Sequence, residues 1–427
     1  MTEQRLKIAV VGAGVAGITA SWLLAKKHDV ALFEKADRIG GHTNTIVLED
    51  GPDAGTAIDT GFIVCNDKTY PNFHAFLAEL QVPWRWADMS FGYWDMTSGL
   101  QYAGTNLNGL FAQRTNLVNP SFISMLLEIR RFCNIAIEDR RSGYVEMLTL
   151  GEYLRKRRFS KYFVTHYIVP MGAAIWSTAA SRMLEFPART FIDFFKNHGL
   201  LSIKDRPRWQ TVVGGSHSYL KAFRARFRGT IETAAWIDSI FRESDGVTIR
   251  MRDGETQRFD RVVLAVHADE VLPLLGDATE EEKRLFGVWR YEKNRVVLHW
   301  DKRVLPPNER AWASWNYVRE PRRSREKRAV LSMTYHMNRL QGLRTSREYC
   351  VTLNREKPIP PRFVVREIDY THPLYTSESI ATQEQLPKLS GRNNTFYCGS
   401  YHGYGFHEDA VKSGVAVARH FGLGFGR

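Results

Sequence analysis

Gly12, Gly14 and Gly17 follow an apolar, β-branched run and open an apolar helical pattern in KIAVVGAGVAGITASWLL, Lys7 to Leu24. No other feature of the 427-residue chain narrows its fold so far. The first glycine permits a tight turn, the second lets backbone N–H groups approach a pyrophosphate at a helix N-terminus, and the third lets helix and strand pack closely. Glu34 ends a second short strand, HDVALFEK. It falls about 20 residues on, where a carboxylate can accept both ribose hydroxyls. Strand, glycine turn, helix, strand and acid in that order predict a βαβ unit clamping a dinucleotide, and a redox reaction class.

At 427 residues the chain is too long for one growing core, so two domains are expected. Its 44% hydrophobic and 25% charged residues are those of an ordinary globular protein. No run approaches the ~18 apolar residues of a membrane span, and no signal peptide is expected. Cys65, Cys133, Cys350 and Cys398 lack C-x-x-C spacing. That argues against a metal site or a disulfide framework, and for a reducing cytosol. The net charge of +13 calls for an anionic partner. Basic residues cluster in YLRKRRFSKYF (Tyr153 to Phe163), AFRARFR (Ala222 to Arg228) and EPRRSREKR (Glu320 to Arg328). No nucleic-acid recognition motif accompanies them, so no nucleic acid is expected. Lys and Arg interleaved with Phe and Tyr suit an anionic membrane surface, which puts the protein in the cytoplasm, peripheral to the inner face of the membrane.

The alternation of patterns predicts an α/β fold, α+β overall: a Rossmann-like domain with a second domain of antiparallel sheet and helices. Residues 1–100, 205–290 and 390–427 are read as the discontinuous nucleotide domain. Residues 101–204 read as a helical lobe and 291–389 as an antiparallel sheet, together forming the substrate domain. The helical lobe includes PSFISMLLEIRRFCNIAIED, and the sheet includes NRVVLHW, AWASWNYV, AVLSMTY and RFVVREIDY.

ADRIGGHTNT, Ala36 to Thr45, adds Arg38, Gly40 and Gly41 after Glu34. That combination resembles the FAD-binding signature of the flavin amine oxidase superfamily, which also holds phytoene desaturases and protoporphyrinogen oxidases. Four further segments are similar to family motifs in family order: IDTGFIV (Ile58 to Val64), VVGGSHSYL (Val212 to Leu220), RVVLAVHA (Arg261 to Ala268) and FYCGSYHGYGFHEDAVKSGVAVA (Phe396 to Ala418). The resemblance implies FAD, with contacts at Gly12, Gly14, Val15, Ala16, Gly17, Glu34, Lys35, Arg38, Gly40, Gly41 and His42. It implies further contacts at Thr60, Gly61, Phe62, Ile63, Ile237, Gly399, Ser400, Phe406, His407, Glu408 and Ala410. Ser400 stands where the family usually has an acid. The N–H groups around His407, Glu408 and Asp409 open the last helix, whose positive dipole end would stabilise a reduced flavin. A second G-x-G-x-x-G is missing, so electrons are expected to leave to oxygen, a quinone or a protein acceptor.

Tyr401, Tyr404 and Phe406 could wall a dry substrate cavity. Amine oxidases of this family carry a lysine near flavin N5. The matching strand, YEKNRVVLHW, offers Arg295 or Asn294, with Lys293 nearby. A missing lysine would favour dehydrogenation over amine oxidation. Arg295, Tyr404 and His407 are the candidate catalytic residues, and His42 and His402 are weighed as proton shuttles or as packing residues. R-I-G-G-H-T-N-T and G-Y-G-F-H-E-D-A resemble bacterial flavoproteins related to the N-terminal flavin domain of plant cyclopropane fatty acid synthases. They also resemble the desaturase of methyl-branched acyl chains in furan fatty acid formation. The likeness implies a lipid or apolar small-molecule substrate. An amine or carotenoid-type oxidase is one alternative, and a non-catalytic, FAD-stabilised partner of a lipid methyltransferase is another.

Overall fold

The computed structural model describes residues 5–176, 180–202, 206–321 and 332–426. The basic run EPRRSREKR from Arg322 onward, and Ala329 to Leu331 of AVLSMTY, lie outside the described residues. Lys7–Val11 sits at the centre of a five-stranded parallel sheet, between Asp29–Phe33 and Arg261–Leu264, with Thr230–Glu232 and Thr395–Tyr397 at the edges. Ile8 to Val10 are fully buried. This is why the strand reads as a continuous apolar run instead of an alternating one.

Its two faces carry separate cores. Ile8 and Val10 face a cluster built with Phe73, Tyr219, Phe223 and Val411, which come from the helices Pro71–Glu79, His217–Arg226 and His407–Arg419. Ala9 and Val11 face a cluster with Ile240, Val247, Val271 and Phe286. Those residues come from an antiparallel three-stranded sheet, Ile237–Glu243 to Thr256–Phe259, and from two short helices. The helix Val15–Leu24 lies so close to His407–Arg419 that a Cβ on Gly414 would stand 2.5 Å from the Ala16 carbonyl.

The second sheet has seven strands, ordered Val364–Pro373, Tyr291–His299, Cys350–Leu353, Ser332–His336, Trp315–Arg319, Phe91–Asp95, Gln101–Ala103. All neighbours are antiparallel except Trp315–Arg319 beside Phe91–Asp95. That parallel join was not anticipated, and it draws Phe91–Asp95 from the first hundred residues into the second sheet. The helices between 107 and 197 pack on this sheet around a third core. The longest is Pro120–Arg141, started by the Asn119 side chain accepting from Ser121 and Phe122 N–H. A π-helical stretch, Val164–Ile168, leads into Val169–Trp176.

Candidate functional site

A cavity of about 1240 Å³ runs from the first glycine turn to the helical lobe, larger than the roughly 300–1,000 Å³ of an ordinary small-ligand cavity. At one end the backbone forms it. Gly12 has φ +100°, and a Cβ there would meet the Ala265 carbonyl at 2.6 Å; a Cβ on Gly17 would meet the Gly12 carbonyl at 1.9 Å. Gly14 has nothing within 4 Å on its Cβ side, which is open cavity. The next glycine pair folds over this turn: Gly40 N–H donates to Ala13 O at 2.8 Å, and Gly14 and Gly40 form a lone parallel bridge.

Polar groups here are held by backbone. The Glu34 carboxylate accepts from Ala13 and Ala36 N–H, each at 2.9 Å, and Arg38 donates to the Gly41 and Thr43 carbonyls. Lys35 pairs with Glu270. Thr60, Gly61, Phe62 and Ile63 enter the wall because Gly61 crosses the His42 carbonyl, where any Cβ would come within 2.0 Å. Ile237 lines the same end, next to Trp236, over which Arg252 stacks at 4.6 Å.

The C-terminal loop contributes Gly399, Ser400, Tyr401, Tyr404, Phe406, His407 and Ala410. His407 lies face to face with Phe62, ring centroids 3.6 Å apart, and its Nε2 shares a hydrogen bond with the Tyr219 hydroxyl; burial lowers its pKa to about 3, so it is neutral. Asp409 closes the helix start by accepting from Tyr404 and Phe406 N–H, and burial raises its pKa to about 6. The hydroxyls of Tyr375 and Tyr401, both on the cavity wall, are buried without a partner among the described residues.

Three histidines meet where the glycine loops reach the second sheet. His42 lies 5.2 Å from His372 and 5.9 Å from His267 by ring centroids, and stacks on Tyr370. Its Nε2–H donates to Thr371 O at 3.1 Å. Burial first, then His372 and His267, hold its pKa well below the ordinary value, and burial lowers those of His267 and His372, the latter to about 4. Beyond them the wall is mainly apolar: Leu110, Leu126, Ile129, Met171 and Ile175 from the helices, Phe91, Val296, Trp315, Leu353 and Ile368 from the sheet, with His198, Arg206 and Asp369 among its polar members. The indole N–H groups of Trp176 and Trp315 have no partner there.

Three expectations need correcting. Arg295 does not reach the cavity; strand alternation turns it outward, where its guanidinium pairs with Glu367 at 2.7 Å across the neighbouring strand. Glu408 is likewise outside the wall, because its carboxylate caps the helix Pro71–Glu79 through Asn72 and Phe73 N–H. Gly17 serves the packing beneath the turn without lining the cavity. Asn294 points inward to His372 Nδ1 at 2.8 Å, and Lys293 is exposed. Among the described residues the only lysine in the wall is Lys35, at the Glu34 end. His402 is outside the wall too. His267, His372 and Tyr375 were missed, although AVHADE after a buried strand marks a helix start beside the first glycine turn.

The family model for flavin containing amine oxidoreductases matches residues 15–342. The chain belongs to that family. Its cofactor is FAD, and it is an FAD-dependent oxidoreductase. The cavity fits that group, with one open glycine edge, closed glycines around it, and two unpartnered buried hydroxyls on residues of its wall. Among solved structures, the chain is similar to a CLA-producing fatty acid isomerase from P. acnes, with 18% identity over 99% of each chain and TM-score 0.66. It is also similar to putrescine oxidase bound to putrescine, with 13% identity over 98% of this chain and 99% of that one and TM-score 0.69. Cyclohexylamine oxidase from Brevibacterium oxydans gives 13% identity over 98% and 100%, with TM-score 0.68. These likenesses establish the fold. Among curated proteins none matches. Among the described residues no helix is long and apolar enough to cross a membrane.

Proposed function

We propose that this oxidoreductase dehydrogenates a fatty acyl chain, methyl-branched or otherwise modified, carried by a phospholipid. The chamber carries the reading: its wall on the helical and second-sheet side is mainly aliphatic and aromatic, and among the described residues its only lysine is held by Glu270 at the opposite end. Burying a substrate ammonium against these aliphatic side chains would leave its charge unpaired, which is strongly unfavourable, whereas an alkyl chain gains about 0.8 kcal/mol per buried CH₂. The likeness in fold to a fatty acid isomerase agrees with an acyl substrate.

When bound, FAD accepts a hydride from a C–H held against its ring. The chain's own residues supply position and dryness. Gly12, Gly14, Val15, Ala16, Gly40 and Gly41 would hold the pyrophosphate, with Glu34 taking the ribose and Lys35 and Arg38 beside it. Ile237 would serve the adenine, and Thr60 to Ile63, Gly399, Ser400, Phe406, His407 and Ala410 would hold the ring. Leu126, Ile129 and Met171 align the alkyl chain, and Tyr404 stands at the edge of the chamber. The proton leaving the neighbouring carbon goes to His42, whose Nε2–H is committed to Thr371 O and whose neutral ring keeps the Nδ1 lone pair.

The test is anaerobic mixing of the FAD-loaded protein with vesicles carrying branched acyl chains. Bleaching of the flavin band, with product two hydrogens poorer, is expected. His42→Ala should slow the bleaching about 100-fold with flavin still bound. Bleaching by an amine panel and by no lipid would overturn the reading.

A further inference from the structure

The helix Pro120–Arg141 has two working faces. Leu126 and Ile129 line the chamber, and Leu127 between them is 65% exposed. Chamber and protein surface are therefore separated by the thickness of one helix. Cys133, a turn beyond Ile129, meets the Leu200 carbonyl at 3.9 Å, and Leu200 and the exposed Arg206 continue the chamber wall from there. The chamber thus reaches the surface beside this helix.

We propose that the outer face of this helix docks on an anionic phospholipid bilayer and passes acyl chains into the chamber behind it. This rests on the acyl-chain reading above. The surface has the two components such docking needs. Its apolar part is Leu127 with Leu117 and Val118 just ahead of the helix, 52% and 83% exposed. Its basic part is Arg130 together with Arg158 and Lys161 of the run Tyr153 to Phe163. Arg131 locks that run against the helix by donating to the Arg157 and Arg158 carbonyls. Of the helix's carboxylates, Glu128 is occupied by Ser160 N–H at 2.7 Å and by the Ser160 hydroxyl, Asp139 pairs with Arg157, and Glu138 is exposed toward the helix's far end. Arg130, Arg158 and Lys161 make no ion pair among the described residues. Charge complementarity therefore selects an anionic surface, and the exposed aliphatic side chains select one with a hydrocarbon layer beneath it.

The FAD-loaded full chain is sedimented with vesicles of phosphatidylcholine alone and of phosphatidylcholine with one quarter phosphatidylglycerol. Binding to the second only, weakened by salt, is expected. Arg130→Gln with Lys161→Gln should weaken it roughly 25-fold, about fivefold per cation removed. Leu127→Asp with Val118→Asp should abolish it, while flavin content and melting temperature stay at the wild-type level. Absence of binding to either vesicle would overturn the proposal, as would binding that both double variants retain. Light scattering without lipid is the third arm: a wild-type dimer that Leu127→Asp with Val118→Asp splits into monomers would reassign the face to a second copy. Vesicle binding is read independently of flavin bleaching, so a protein that docks but does not bleach contradicts the acyl reading alone.

Discussion

The two ends of the cavity are made in different ways. The nucleotide end is a backbone construction: Gly12, Gly17, Gly40 and Gly61 are closed against neighbouring atoms, three of them against main-chain carbonyls at 1.9–2.6 Å from any added Cβ. The chamber end is a side-chain construction, with walls from helices between 107 and 200 and from strands between 91 and 368. The closed glycines of one end tolerate no added atom, while the other end tolerates any set of apolar side chains of suitable volume. The nucleotide end is thus fixed by backbone geometry, and under the proposed function substrate choice is left to volume.

The largest expected effect tests the closed end. Gly17→Val places a Cβ 1.9 Å from a main-chain oxygen that cannot move without the first strand. The outcome should exceed the ~1–3 kcal/mol of ordinary overpacking and leave little soluble protein. Gly14→Ala is its counterpart: with nothing within 4 Å, it should leave the melting temperature of the apoprotein unchanged and weaken FAD retention about tenfold, ~1.4 kcal/mol. Flavin-to-protein absorbance and thermal unfolding separate the two. Equal losses from both would break the distinction between closed and open glycines.

The same difference explains what the sequence discloses. Gly12, Gly14, Gly17 and Glu34 belong to one βαβ unit and can be read from their spacing, with Gly40 and Gly41 following in the next turn, although the carbonyl that closes Gly12 is that of Ala265, far along the chain. His267 and His372 are separated by more than a hundred residues and meet only through sheet pairing. Arg295 shows the reverse failure: its neighbours in sequence indicated the right strand, but one step of strand register decides whether a side chain enters the cavity or faces water. Glu408 sat in the right helix turn and was claimed by Asn72 and Phe73, a contact that chain order does not reveal.

The nucleotide domain also holds its charges more tightly. Arg242 and Glu282 are ion-paired at 2.6 Å with side chains 1% and 5% exposed, and the Tyr397 hydroxyl donates to the same carboxylate. These contacts, Arg242 first among them, outweigh burial and lower the Glu282 pKa from 4.5 to about 2. A depressed carboxylate pKa means that the stabilisation is complete above the unfolded value and is lost as pH falls through the folded one. Glu282→Gln should therefore cost ~3 kcal/mol at neutral pH, about what the depressed pKa corresponds to, because it leaves the buried Arg242 with Asp277 as its remaining carboxylate. The gap between variant and wild type should close as pH falls from 4.5 toward 2, measured by denaturant titration at each pH. A gap that does not change with pH would show that the pair contributes packing alone.

On the chamber side, Ile129→Trp adds volume to a wall that is only partly buried and has open cavity in front of it. It should leave FAD content and melting temperature within error of wild type. The expected change is in chain-length preference, about tenfold in kcat/KM for the longest acyl chain accepted, ~1.4 kcal/mol and within the range for one or two methylenes. If the long and short chains lose activity equally, volume is not what selects substrate there.

The smallest effect belongs to Arg295, and its smallness is informative. The guanidinium and the Glu367 carboxylate meet at 2.7 Å, as close as the Arg242 contact with Asp277, yet both side chains are 49% exposed. Water and salt screen such a pair, and holding two long side chains in one geometry offsets much of the attraction, so exposed pairs contribute about 0–1 kcal/mol. Arg295→Ala should therefore shift stability by less than ~1 kcal/mol and leave flavin bleaching by lipid vesicles at the wild-type rate. Asn294→Ala, one residue earlier, removes the buried amide that donates to His372 Nδ1 at 2.8 Å, and should slow bleaching measurably while the flavin stays bound. The two substitutions are adjacent in sequence and differ only in which face of the strand they occupy. If Arg295→Ala slows bleaching and Asn294→Ala does not, the strand is registered the other way in the working enzyme, and the division between cavity wall and outer surface falls with it.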